Sequence, residues 1–285
     1  MIFDDRACIL GEGALWHPER GELFWFDIKG QRLLSRHFGT GVTRDIDLPE
    51  VFSAAGWIDR ETLVLASETG LWCWTVDGQM ESFAELESDR PGNRTNDGRI
   101  DPWGGFWIGT MGKAHERAAG AIYRHYEGET RLLFPDISVP NSISFLPDRS
   151  AAYFSDTGQR KTWRVALDSD GWPESDPVLF LDGKEHDLLA DGAVVLADGT
   201  LAVTNWGRGE VLLVDPDARI TGRLSVPAPF ANCPAPGGPD FTTLYVTSAT
   251  DGHGFKSTQD ETHSGKTFGI ENAPRGLPEY RFRLS

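Results

Sequence analysis

Residues Glu22–Asp27 read ELFWFD, and a run of the same kind returns five more times: Thr62–Ser67 (TLVLAS), Gly105–Thr110 (GFWIGT), Ala151–Asp156 (AAYFSD), Thr200–Asn205 (TLAVTN) and Thr243–Ser248 (TLYVTS). Each run is rich in aromatic or β-branched residues and ends on a small polar residue, the chemistry of a strand on a pleated, half-buried surface. Their last residues lie 40, 43, 46, 49 and 43 positions apart, close to the length of a four-strand blade. A turn precedes each run (HPERG, DRE, DPWG, PDRS, ADG, GPD), and another strand-like piece follows most of them, such as LWCWTVDG, GAIYRHYEG and EVLLVDPDA. Pro, Asp and Gly supply the backbone angles that hairpins need. No stretch keeps a helical apolar period. The uneven spacing suits a closed ring better than an open solenoid, because loops between blades vary freely while closure protects the strand edges. The expected fold is all-β: a six-bladed β-propeller of four-stranded antiparallel blades, one domain over residues 1–285. The C-terminal EYRFRL is expected to finish the sixth unit, zipped to RACIL near the N-terminus.

Counting back 14 or 15 residues from the end of each run reaches Glu12, Ser53, Asn96, Asn141, Asp191 and Cys233, with Asn232 one position before the last. The first strand of a propeller blade lies beside the axis, so equivalent positions of six blades converge on the channel. Two carboxylates and two amides there make an oxygen-rich pocket. Uncompensated carboxylates repel and are costly to bury. Either the ring lines a water-filled channel, or a divalent cation supplies the counter-charge. For the second case Glu, Asp and Asn oxygens suit Ca²⁺, Mg²⁺ or Mn²⁺ better than a thiol-seeking metal, with Zn²⁺ tolerable.

The chain carries 27 Lys and Arg against 43 Asp and Glu, a formal charge of −16. Such a surface repels phosphate backbones and anionic lipid, so neither nucleic acid nor a membrane is expected as partner. No apolar run is long enough to cross a bilayer. The opening MIFDDRACIL has acids where an export signal needs basic and then apolar residues, so a cytoplasmic location is expected. Cys8, Cys73 and Cys233 are far apart and read as core fillers, not a disulfide or thiolate framework. Gly265-Lys266-Thr267 lacks the upstream Gly of a phosphate-binding loop, and Asp168-Ser169-Asp170-Gly171 lacks the later acids of a calcium loop.

Several short stretches resemble the senescence-marker protein/gluconolactonase/luciferin-regenerating family of regucalcin-like sugar lactonases: Leu10–Trp16 (LGEGALW), Arg94–Arg99 (RTNDGR), Pro140–Phe145 (PNSISF), Ala190–Gly192 (ADG) and Leu244–Ala249 (LYVTSA). The resemblance runs from about residue 8 to the final LPEYRF. It implies a propeller with one divalent cation in a polar, metal-binding channel, Ca²⁺ first and Zn²⁺, Mn²⁺ or Mg²⁺ as alternatives. It further implies hydrolysis of a small-molecule sugar lactone by a monomer or weak homo-oligomer. By position Glu12, Asn141 and Asp191 become the metal ligands, Asp191 also the catalytic base, and Arg94 and Asn96 the substrate contacts. Glu116 matches more loosely, either a substrate-binding loop glutamate or an exposed one. The family usually carries Cys-x-Phe-Gly-Gly before the last blade, whereas this chain has Cys233-Pro234-Ala235-Pro236-Gly237-Gly238, which leaves the sixth ring member open between Asn232 and Cys233. Hydrolysis of aryl esters or organophosphates, and a non-catalytic cation-binding propeller, are the competing functions.

Overall fold

The six aromatic-rich runs are the second strands of six four-stranded antiparallel sheets. The fold is that of a computed structural model, which describes residues 1–255, 257 and 259–284. From the axis outward the first blade runs Gly11–His17, Glu22–Asp27, Arg32–His37 and Thr43–Asp47. Blades two to five repeat this meander over residues 52–85, 93–137, 140–182 and 190–225. Each inner strand packs on the inner strands of the blades before and after it, and the first packs on the sixth, so the sheets form a ring. The described residues contain no helix long and apolar enough to cross a membrane.

Closure differs from the expectation. The sixth blade consists of Ala231–Gly237, Thr243–Ser248 and Thr267–Ile270, and its outer strand is the N-terminal Ile2–Asp4, with Ile2 opposite Phe268 and Asp4 opposite Thr267. Residues 8–10 instead run along the connection inside the sixth blade, through Cys8 N–H to Gly265 O at 2.9 Å and a lone bridge of Leu10 to Ala249. EYRFRL is an extended strap beneath blades two and three. Arg281 bridges Trp57, and Phe282 is buried among Ala54, Val64, Ile100 and Phe106. The alternation of Tyr280 and Phe282 is satisfied by packing on these blades, not by a sheet partner.

Flat aromatic side chains fill the wedges between blades. Trp16 stacks on Tyr245 between blades one and six at 5.4 Å and 10°, and Trp107 meets Phe145 edge-on at 5.3 Å between blades three and four. Such pairs add about 0.5–1.5 kcal/mol each beyond the area they bury. One wedge holds a charge. Arg124 and Asp101, both fully buried, pair at 2.6 Å, and the guanidinium lies 4.4 Å from the Tyr126 ring and 4.3 Å from the Trp172 ring.

Candidate active site in the central channel

The strand register decides which residues reach the axis. Gly11, Phe52, Thr95, Pro140, Ala190 and Ala231 pair with Asp27, Ser67, Thr110, Asp156, Asn205 and Ser248, the last residues of the six runs. The next residue in each inner strand is therefore the equivalent one: Glu12, Ser53, Asn96, Asn141, Asp191 and Asn232. The sixth member is thus Asn232, and Cys233 follows it. Every inner strand also loses register beside this position. A bulge of this kind bends the strand and re-aims its side chains, and bulges gather near active sites. In the first blade the bulge needs Gly13, whose φ is +59° and whose place would put a Cβ 2.3 Å from Ser53 O.

Glu12, Arg94, Asn96, Asn141 and Asp191 all line one cavity of about 880 Å³. Asn96 holds the cluster together. Its amide donates to Pro140 O (2.9 Å) and Asn141 Oδ1 (3.0 Å), and its Oδ1 accepts from Arg94 Nη1 (2.8 Å). Arg94 Nη1 also donates to Thr95 O. Asn141 in turn donates to Thr157 Oγ1 at 2.8 Å. Asn232 is tied away, donating to Gly11 O at 2.9 Å, and Ser53 donates to Thr95 Oγ1.

Electrostatically the floor is frustrated. Burial, then the charges of Asp191 and Asp97, push the Glu12 carboxyl well above its ordinary range. Burial and Asp97 do the same to Asp191. The backbone N–H groups of Gly13 and Gly192 oppose these shifts only weakly. Arg94 opposes both shifts, and its own burial lowers it to about 10. No three His, Cys, Asp or Glu of the described residues gather into a metal cluster, so a cation here would depend on amide oxygen as well as carboxylate. Among the described residues neither Glu12 nor Asp191 has an ion-pair partner within 4 Å, and Asn141 Oδ1 keeps a lone pair after accepting from Asn96. This set fits a hard divalent cation.

Glu116 is the one sequence candidate the fold does not bring to the cavity wall. It is exposed on the loop after Phe106–Gly112, and its carboxylate accepts from Ala114 N–H at 3.1 Å, while its neighbours His115 and Arg117 do line the cavity. Several lining residues lie on loops outside the repeat, His115, Arg117, Lys184, Trp206 and His253, and Lys161 opens the third strand of blade four. The rings of His115 and His253, from the opposed third and sixth blades, meet at 4.7 Å. Asp97, next to the ring member Asn96, is the deep carboxylate that position counting missed. It accepts from Ile143 N–H at 2.8 Å and Gly98 N–H at 2.9 Å. Below it Arg99 donates to Ile143 O and Ala193 O, both at 3.0 Å, and pairs with Glu279 of the C-terminal strap.

Fold and channel together define a six-bladed propeller with a carboxylate and amide pocket on its axis. Within that class the chain belongs to the SMP-30/gluconolactonase/LRE-like family, whose profile matches residues 10–250. It is similar to a Rhizobium meliloti protein assigned as a sugar lactone lactonase (39% identical, 98% of this chain and 96% of that one). It is also similar to a 6-deoxy-6-sulfogluconolactonase of Pseudomonas putida (31% identical, 97% and 96%). Among solved structures it resembles a calcium-binding protein, regucalcin, of Agrobacterium tumefaciens, with TM-score 0.94, 37% identity and coverage of 99% and 97% of the two chains.

Proposed function

We propose that this protein hydrolyses a sugar lactone to the aldonic acid, with one divalent cation held by Glu12, Asn141 and Asp191. The carrying observation is the pair of carboxylates lining the cavity beside Asn141, half-buried Glu12 and buried Asp191, which have no ion-pair partner within 4 Å among the described residues and only the charge of Arg94 to oppose them. The relatives named as lactonases support the reaction class, and the relative named as calcium-binding supports a cation. Ca²⁺ is the first choice for an all-oxygen set, with Mn²⁺, Mg²⁺ and Zn²⁺ as alternatives.

When bound, the cation supplies Lewis acidity, polarising the lactone carbonyl for attack. Asp191 takes a proton from the attacking water and returns it to the ring oxygen as the C–O bond breaks, a general base and then acid. Arg94 has both Nη1 hydrogens spent on Thr95 O and Asn96 Oδ1, which leaves Nε and Nη2 to hold sugar hydroxyls. Asn96, with both amide hydrogens engaged, keeps Arg94 and Asn141 in place, so its contribution is orientation. Glu116 contributes to binding once a substrate draws its loop inward. The test is lactone opening followed by proton release. Chelator-treated protein should be inactive and recover with Ca²⁺, Mn²⁺ or Zn²⁺; full turnover in chelator removes the cation from the reaction.

A further inference from the structure

The cavity divides its charges by depth. Among the described residues two acids line it, Glu12 and Asp191 on the floor, against five Lys and Arg residues. Arg94 belongs to the floor, and the other four ring the mouth on the side of blades three and four. Arg117 is on the loop after the second strand of blade three, Arg160 and Lys161 are at the turn of blade four, and Lys184 is on the connection to blade five. Arg160 is engaged, donating to Leu188 O and Gly183 O and lying 3.6 Å from Asp187. Arg117, Lys161 and Lys184 have no carboxylate within ion-pair distance among the described residues; the pairs formed nearby are Arg160 and Arg208 with Asp187, and Lys29 with Asp251. On the side of blades five and six the lining includes Trp206 against Phe255 at 5.5 Å.

In a chain of net charge −16, three unpaired cations on one rim of a concave wall run against the overall field. A concave wall also concentrates what field they make. With a cation bound to the floor carboxylates, Arg117, Lys161 and Lys184 would be the lining charges left without a partner among the described residues. We propose that the substrate is an anionic sugar lactone, carrying a carboxylate, phosphate or sulfonate on the end remote from the carbonyl, and that Arg117, Lys161 and Lys184 receive this group. The inference rests on the lactonase reading for its orientation, with the carbonyl at the floor and the tail at the rim.

The experiment compares kcat/KM for glucono-lactone, 6-phosphogluconolactone and a glucaro-lactone, the last two separating phosphate from carboxylate recognition. An anionic lactone should be preferred by roughly tenfold, chiefly through KM, since rim contacts of this kind bind ground and transition states alike. The preference should shrink as NaCl is raised and fall to about one in the Lys161→Ala/Lys184→Ala double variant. A binding arm does not need turnover: calorimetry with glucarate and gluconate, where the dianion should bind roughly tenfold tighter. Equal kcat/KM for neutral and anionic lactones with equal affinity for the two acids overturns the proposal while leaving lactone hydrolysis standing. A glucarate preference without turnover of any lactone keeps the anionic subsite and overturns the reaction.

Discussion

Replacing Glu12 by Gln should stabilise the chelated protein and remove most of its response to divalent cation. In the cation-free chain Glu12 is pushed toward its neutral form by burial and by the charges of Asp191 and Asp97, with Arg94 as the opposing charge. A buried charged acceptor without partners costs about 1–3 kcal/mol or more, so the isosteric amide should stabilise the chelated protein at mildly alkaline pH by about that amount. For the native protein, a cation at a hundred times its Kd adds about 2.7 kcal/mol. At roughly 2–4 °C per kcal/mol for a large domain, that is a rise in Tm of about 5–10 °C. The variant should start a few degrees above the native protein in chelator and gain about 2 °C or less from Ca²⁺. Thermal unfolding followed by far-ultraviolet circular dichroism reads all four states. Equal gains from Ca²⁺ in both proteins, or a native protein indifferent to it, would refute the assignment of Glu12 as a ligand.

Two further predictions concern the frame around the site. Asp101→Asn leaves the Arg124 guanidinium buried without its counter-charge and should cost about 3–5 kcal/mol in urea unfolding, with turnover per folded molecule unchanged because the pair lies outside the channel; a cost below about 1 kcal/mol would show that the two aromatic faces alone stabilise the cation. His253 is exposed at the cavity mouth and lowered toward about 4 by partial burial, then Lys29 and His115, so it should titrate below the ordinary histidine range by NMR. Because the packed ring is held below its free value, its contact with His115 is favoured above the ordinary histidine range and lost as pH falls toward 4, and His115→Ala should raise the midpoint. An unchanged midpoint near the free value would mean the rings do not meet in solution.

The repeat was legible because strand chemistry is local. The last residues of the six runs, from Asp27 to Ser248, are the register partners of the residues before the channel ring, so a count along the chain found five of the six ring members directly. The sixth stayed open between Asn232 and Cys233 because the count cannot see how many residues of the Ala231–Gly237 strand the bulge leaves unpaired; pairing of Ala231 with Ser248 settles the ring position on Asn232. Closure was misread for a related reason. Ile2–Asp4 is three residues long and carries no period, whereas EYRFRL alternates like a strand but buries Phe282 under blades two and three. The rim was not legible at all. Arg117, Lys184, Trp206 and His253 sit on loops of unequal length and Lys161 at the very start of a strand, and no spacing rule brings them together.

The most direct measurement is lactone turnover by Asp191→Asn, alongside its circular dichroism and bound-cation content. The substitution keeps the shape of the side chain, removes the proton acceptor and weakens the cation site. Turnover should fall by about 10²–10⁴-fold, the range a positioned general base supplies, with the β-sheet spectrum intact. A variant that folds and opens lactones at near-native rate would contradict the account at its centre.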